Sequence, residues 1–228
     1  MKILAIDTSG KQAGAAIVDE YITIGEILIN AQSGTKTWHH SQILMPGVER
    51  LFELCGFAIQ DMDCIAYTSG PGSFTGIRIG ASTALGLARA VEKPVIAVPT
   101  LDALAYNMLN VEDGRIVVPL MDARREQVYG AIYKREADGF TRLTDYFGLG
   151  INEALDMLEA NAIFLGDGAD ENKDAILARF PDAKFAPPNA SRQRAASVGL
   201  CAMTQQATDK VELIYVRDPQ AVRNLKQA

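Results

Sequence analysis

Apolar positions along this chain follow two rhythms, and the order of those rhythms repeats. Ile3 to Ile6 is a short apolar run, Asp7 to Gly10 is turn chemistry, and Ala15 to Val18 resumes the run. The segment from Lys2 to Asn30 therefore reads as strand, tight turn, strand, turn, strand. From Ser41, taken as an N-cap, the residues Leu44, Val48, Leu51, Phe52 and Cys55 recur with a 3.6-residue period, and Gly56 supplies a stop. Pro46 is tolerable only near the start of that helix, or else kinks it. "CIAYTSG" then predicts a short buried strand, residues 74 to 92 a second helix, "PVIAVP" another strand, and Thr100 caps a third helix.

The second half runs through the same sequence of elements. An apolar run ends in Asp122, a polar turn follows, a strand resumes over Val128 to Ile132, and a third strand lies near Phe140 to Phe147. Ile17 stands ten residues after Asp7 and Ile132 ten after Asp122, so the two strand-turn-strand units are expected to share a register. A helix at Asn152 to Glu159, the strand "AIFLGDG", a helix at Lys173 to Phe180, the strand "AKFAP" and a helix from Ser191 to Thr208 complete the unit. The order βββαβαβα appears twice. The expected fold class is α/β, with duplicated lobes over 1–110 and 111–228, each a mixed sheet with helices packed on it.

That duplicated order, with an Asp-Thr-Ser turn after the first strand, resembles the actin, hexokinase and Hsp70 superfamily. The resemblance implies that the first hairpin of each lobe faces a nucleotide phosphate. Backbone N–H groups of a tight turn form an anion nest, and a nearby carboxylate can hold a metal ion or water. Asp7, Thr8 and Ser9 occupy that position as a vestigial nucleotide-binding site, the alternative being that Asp7 caps a hairpin turn.

The stretch "SGPGSFTGIRIG" looks like a phosphate cradle and matches neither standard one. A Walker A loop needs Gly-Lys-Ser/Thr five residues after its first glycine, where this chain has Thr75 or Ile77; a dinucleotide fingerprint needs a glycine where Thr75 stands. The following helix carries Gly76, Gly80, Ala84 and Ala88 at steps of four, a strip of small residues that lets another backbone approach closely. The helix is apolar on several faces while one sheet covers one face, so the strip is expected to dock against a partner helix. Packing of the strip on the protein's own sheet is the alternative. The expected partner-facing set is Ser41, Leu44, Val48, Phe74, Gly76, Ile77, Gly80, Ala84 and Ala88.

Composition narrows the function classes. The net charge is −6, the isoelectric point is near 5.0, and basic residues are scattered singly or in pairs such as Arg124–Arg125, which argues against a principal nucleic-acid surface. No uncharged apolar stretch reaches 18 residues, and the run in "MKILAIDTS" is too short for a signal-peptide core, so a cytoplasmic protein with no membrane span is expected. Cys55, Cys64 and Cys201 show no C-x-x-C pairing and read as buried, inert thiols. His39 and His40 are adjacent with no third ligand at recognisable spacing, no zincin motif occurs, and Ser82 lies inside a helical pattern rather than on a strand-to-helix elbow. No metal site, peptidase or hydrolase triad is expected.

"MKILAIDTS", "HHSQILMPGVERLF", "SGPGSFTGIRIGASTALGLA", "VIAVPTLDALA" and "VELIYVRDPQA" together resemble the TsaB (YeaZ) family over nearly the whole chain. The resemblance implies a noncatalytic subunit required for N6-threonylcarbamoylation of adenosine 37 in tRNAs reading codons that begin with A. It implies two partners, the catalytic paralogue TsaD and the ATPase TsaE, with tRNA as the substrate of the complex and ATP or ADP bound by the partner subunits. A homodimer through the same helices is expected when the paralogue is absent. In the paralogue a similar Gly-Pro-Gly loop, helix and strand lead to a metal-binding His-x-x-x-His pair; here the matching positions are Thr100 and Leu104, which are not imidazole ligands. In the second lobe, "DARREQ" places bulky arginines where a phosphate turn needs small residues, and Asp167 is a turn residue before it is a ligand. An ATP-dependent phosphotransferase of the sugar-kinase superfamily, with Asp7 at a metal, is the alternative function.

Overall fold

In the computed structural model, which describes residues 1–20, 22–30, 38–159, 162–208 and 210–216, the first half follows the expected order. It runs β1 (Ile3–Asp7), β2 (Gln12–Val18), β3 (Thr23–Asn30), α1 (His40–Cys55), β4 (Cys64–Gly70), α2 (Phe74–Ala90), β5 (Val95–Pro99) and α3 (Thr100–Ala105). The five strands pair in the order β3-β2-β1-β4-β5, with β1, β4 and β5 parallel and the first hairpin antiparallel. Both β1 and β4 are buried along their whole length, as continuous apolar runs flanked by helices on two faces must be. Leu4, Ile6, Ile65 and Tyr67 face α1 and α2; Ile3, Ala5, Cys64 and Ala66 face the opposite layer. Helix α1 starts at His39, the N-cap, rather than at Ser41, and Gln42 Oε1 accepts the His39 N–H at 2.9 Å. Pro46 therefore lies in the second turn, on the exposed side.

The second half comprises β6 (Ile116–Asp122), β7 (Gln127–Gly130), β8 (Tyr133–Glu136), β9 (Gly139–Arg142), β10 (Phe147–Gly150), α4 (Ile151–Asp156), β11 (Ile163–Leu165), α5 (Asp167–Glu171), α6 (Lys173–Arg179) and β12 (Lys184–Phe185), then α7 (Ala195–Ala202). Its main strand order is β10-β7-β6-β11-β12, the first sheet's order with each strand replaced by its counterpart. The duplication is therefore present in the topology. Two details differ from the expected repeat. The shared register does not hold, because Asp7 pairs with Gly14, seven residues on, and Asp122 with Val128, six on. An added hairpin, β8–β9, precedes the third strand, which falls at Phe147–Gly150.

The expected division at 110/111 also changes at the C-terminal side. The first compact unit holds Met1–Tyr106 and Gln193–Leu213; the second holds Asn107–Arg192 together with the described residues from Ile214. Helix α7, assigned to the second lobe by order, packs on the first sheet with Ile3, Ala5, Ala16 and Val18. The cause is an uncovered face: α3 is only six residues long, too short to cover β1, β2 and β4, and α7 is apolar nearly all round. The described residues after α7 as far as Leu213 belong to the first unit. Thr208 and Val95 exchange two backbone hydrogen bonds at 2.8 Å, and Leu213 joins the cluster under α1 and α2. The buried Tyr67 hydroxyl accepts the Glu212 N–H at 2.9 Å and donates to its carbonyl at 3.2 Å. Arg217 to Ala221 of the closing motif lie outside the described residues.

Candidate functional site

The Asp-Thr-Ser turn leaves the carboxyl end of β1, where ligands collect in open α/β sheets. Asp7, Thr8 and Ser9 are all buried. Asp7 Oδ1 accepts the Ser9 N–H at 2.8 Å, the Ser9 hydroxyl at 2.7 Å and the Thr68 hydroxyl at 3.2 Å, while Oδ2 has no partner among the described residues. Burial raises the Asp7 carboxyl pKa above its ordinary 3.8; the three hydrogen bonds oppose that rise and the Glu26 charge adds to it. Two further polar groups of the turn are used by the chain itself. Ser9 O accepts the Ser73 N–H at 2.7 Å, and the Thr8 hydroxyl donates to Gly76 O at 2.7 Å.

The glycine loop therefore rests on this turn. A Cβ on Gly72 would stand 2.5 Å from Ser9 O, one on Gly76 would overlap Thr8 O, and one on Gly80 would overlap Thr8 Oγ1. Ser73 Oγ caps α2 by accepting the Gly76 N–H at 3.2 Å. Half-buried His40, at the start of α1, has its imidazole pKa lowered by burial, with the His39 charge adding to the shift, while a hydrogen bond to the Lys11 backbone works against it. Among the described residues no group of three or more His, Cys, Asp or Glu lies close enough to hold a metal ion.

The second unit repeats the device with different chemistry. Gly166 leaves β11 at φ 99° and Gly70 ends β4 at φ 108°, both left-handed, as a glycine allows where a strand turns sharply into a helix. Gly168 then closes on the β6 turn, where a Cβ would stand 2.7 Å from the Met121 carbonyl carbon. Asp167 Oδ1 accepts the Asp122 N–H at 3.0 Å, and Asp122 Oδ1 accepts the Arg124 N–H at 2.7 Å. The bulky residues of "DARREQ" fit by pointing outward. Arg124, Arg125 and Glu126 are exposed, with φ values of 61°, 56° and 60°.

The expected partner-facing set separates into two groups. The small-residue strip is covered by the chain's own sheet: Gly76 and Gly80 close on the β1 turn, and Ala84 and Ala88 pack with Leu4, Ile6 and Tyr67. Leu44, Val48 and Ile77 are likewise buried. Strip and sheet touch because a glycine row brings a helix axis nearest to a strand, and β1 and β4 lie directly beneath it. Only Ser41 and Phe74 of the set are exposed. The outward face of α2 is instead a shallow groove of about 490 Å³ lined by Phe74, Thr75, Arg78, Ile79, Ser82 and Thr83, with the Arg78 guanidinium 3.8 Å from the centre of the Phe74 ring. Met45 and Leu54 on α1 are exposed apolar side chains.

The family model for TsaD, tRNA N6-adenosine threonylcarbamoyltransferase, matches residues 35–214. The Bacillus subtilis tRNA threonylcarbamoyladenosine biosynthesis protein TsaB is 35% identical over 179 residues, 77% of this chain and 75% of that protein. The chain belongs to the TsaB (YeaZ) family. YeaZ from Pseudomonas aeruginosa shares the fold, with a TM-score of 0.76 at 23% identity over 94% of this chain and 99% of that one. A hexokinase of the ROK type from Thermus thermophilus has a TM-score of 0.51 at 12% identity over 89% and 98%, which places this TsaB-family member in the actin-like, hexokinase-like fold.

Sequence reasoning missed three groups that shape the family member's first turn: Thr68, Gly72 and Gln193. The contact of Gly72 with Ser9, 63 positions earlier in the chain, leaves no local signal. Thr68 and Gln193 reach the turn from β4 and from the segment before α7, so only the sheet order reveals them.

Proposed function

We propose that this chain is a noncatalytic subunit of the assembly that forms N6-threonylcarbamoyladenosine at adenosine 37 of tRNAs reading codons that begin with A. It works beside the TsaD paralogue, which performs the transfer, and the ATPase TsaE; ATP or ADP is bound by those partners. The named Bacillus subtilis relative and the family match support the pathway. The carrying observation is the β1 turn, whose Ser9 carbonyl and Thr8 hydroxyl are taken up by the chain's own Gly-Pro-Gly loop and α2, in a chain with Thr100 and Leu104 where the paralogue has histidines.

With the strip buried, the docking surface is the outward side of α1 and α2: Ser41, Met45, Phe74, Thr75, Arg78 and Ser82. Apolar area beside a single guanidinium is the composition of an interface core. The same face serves a homodimer when the paralogue is absent, since the two subunits descend from one duplicated surface. Co-purification with the cognate paralogue tests this. Arg78→Glu and Ser82→Trp should each abolish the complex and threonylcarbamoylation in the reconstituted system while leaving the circular dichroism spectrum unchanged. Undiminished binding by both variants would refute the docking face, and modification without this chain would refute the subunit role. Substrate-dependent ATP turnover by the isolated chain would point to a phosphotransferase instead.

A further inference from the structure

Five buried side-chain polar atoms have no hydrogen-bond partner among the described residues: Asp7 Oδ2, Gln12 Oε1, Ser69 Oγ, Thr100 Oγ1 and Gln193 Nε2. They gather at one end of the first sheet. Asp7 ends β1, and Gln12 begins β2 two residues before Gly14, the partner of Asp7. Ser69 sits where the β4–β5 pairing shifts between Thr68 and Gly70, and Thr100 follows Pro99, the partner of Gly70. The Gln193 side chain lies against Gly10 in the same turn. By strand alternation Asp7 and Gln12 share the face of Ile3, Ala5, Ala16 and Val18, the face that α3 and α7 cover.

Buried polar groups in native proteins are nearly all satisfied, by protein or by ordered water. The chain does not satisfy these directly, because three donors already hold Asp7 Oδ1 and fix the direction of Oδ2. The chemistry of the set selects its guest. Asp7 and Gln12 present acceptors, Gln193 presents a donor, and the Ser69 and Thr100 hydroxyls do either. A bare cation would meet the Gln193 N–H, and a phosphate would meet the Asp7 carboxylate. Water, with two donors and two acceptors, matches both.

We propose that internal water molecules bridge Asp7, Gln12, Ser69, Thr100 and Gln193, so that the end of β1 is a hydrated joint between the first turn, α3 and the segment entering α7. At two to four bonds per molecule, five orphaned atoms call for about two waters. Oxygen-17 magnetic relaxation dispersion on the full chain counts slowly exchanging waters, and a high-resolution crystal structure locates them. The expected result is density for water within hydrogen-bond distance of Asp7 Oδ2, and a dispersion amplitude that falls by about one water in Thr100→Val. Gln12→Met, at a partly exposed residue, gives a second variant with the same expected fall. Equal amplitudes in wild type and both variants, or wild-type density showing no water there, would overturn the proposal. So would density at Asp7 Oδ2 that vanishes on soaking with a chelator, which identifies a metal ion, or dispersion lost on adding inorganic phosphate.

Discussion

Replacing Gly72 by alanine and, separately, Gly86 by alanine should move stability in opposite directions. The added Cβ at Gly72 meets Ser9 O at 2.5 Å, whereas ordinary contact begins at 3.4 Å, so loop and turn must part by about 0.9 Å. That movement acts on the 2.7 Å hydrogen bond from the Ser73 N–H to the same oxygen. Overpacking of this kind costs about 1–3 kcal/mol and weakening the bond about 1 kcal/mol, against roughly 0.5 kcal/mol regained from the less flexible unfolded chain. The net loss is about 2 kcal/mol. Gly86 lies inside α2 with nothing within 4 Å of its would-be Cβ, so alanine there gains about 1 kcal/mol of helix propensity. Urea unfolding followed by circular dichroism should separate the two variants by about 3 kcal/mol, which is of order 10 °C in thermal midpoint for a chain of this size. A Gly72→Ala midpoint equal to that of the wild type would refute the reasoning that the loop is seated on the turn. Gly76→Ala and Gly80→Ala should follow Gly72→Ala in sign, since both meet Thr8.

Asp7 gives a pH signature. Its folded-state pKa lies above 3.8, so its contribution to stability is full below 3.8 and is lost as pH rises through the folded-state value. The stability of the wild type relative to Asp7→Asn should therefore fall as the pH rises above 3.8, and a flat difference in urea midpoints would contradict the burial argument. Tyr67→Phe removes a hydroxyl bonded to both backbone groups of Glu212; about 1–2 kcal/mol should be lost, and hydrogen exchange at the Glu212 amide should accelerate. The Cys64 thiol is pushed up to about 11 by burial, and the buried Cys201 thiol is also raised. Alkylation of the native chain at about pH 8, read by mass spectrometry, should therefore mark half-buried Cys55 first, with Cys64 and Cys201 reacting only on unfolding.

Several elements were legible because their signals are local. The apolar runs of β1 and β4, the helical period of α1 and the glycine stop at Gly56 are properties of neighbouring residues, and each element appears where its pattern lies. The duplicated order was visible for the same reason, and it is enough to imply the fold. The second-lobe hairpins were less legible. Strands of four residues carry little periodicity, and the β8–β9 insertion resembles a single longer strand and turn. The Asp7 turn is legible as a candidate, while its companions are not, because Thr68 and Gly72 lie about 60 residues on in the chain and Gln193 more than 180.

By itself, then, the sequence determined the alternation of strands and helices, the repeat and the family. Tertiary structure alone decided which neighbour each face received. A stripe of glycine and alanine states only that some backbone comes close; the identity of that backbone depends on what lies beneath the helix. Here it is the Asp-Thr-Ser turn and the chain's own β1, which leaves the Phe74–Arg78 side of α2 facing outward. The position of α7 follows the same logic, because an apolar helix settles on whichever sheet face is least covered, and the first two strands of that face lie more than 170 residues earlier in the chain.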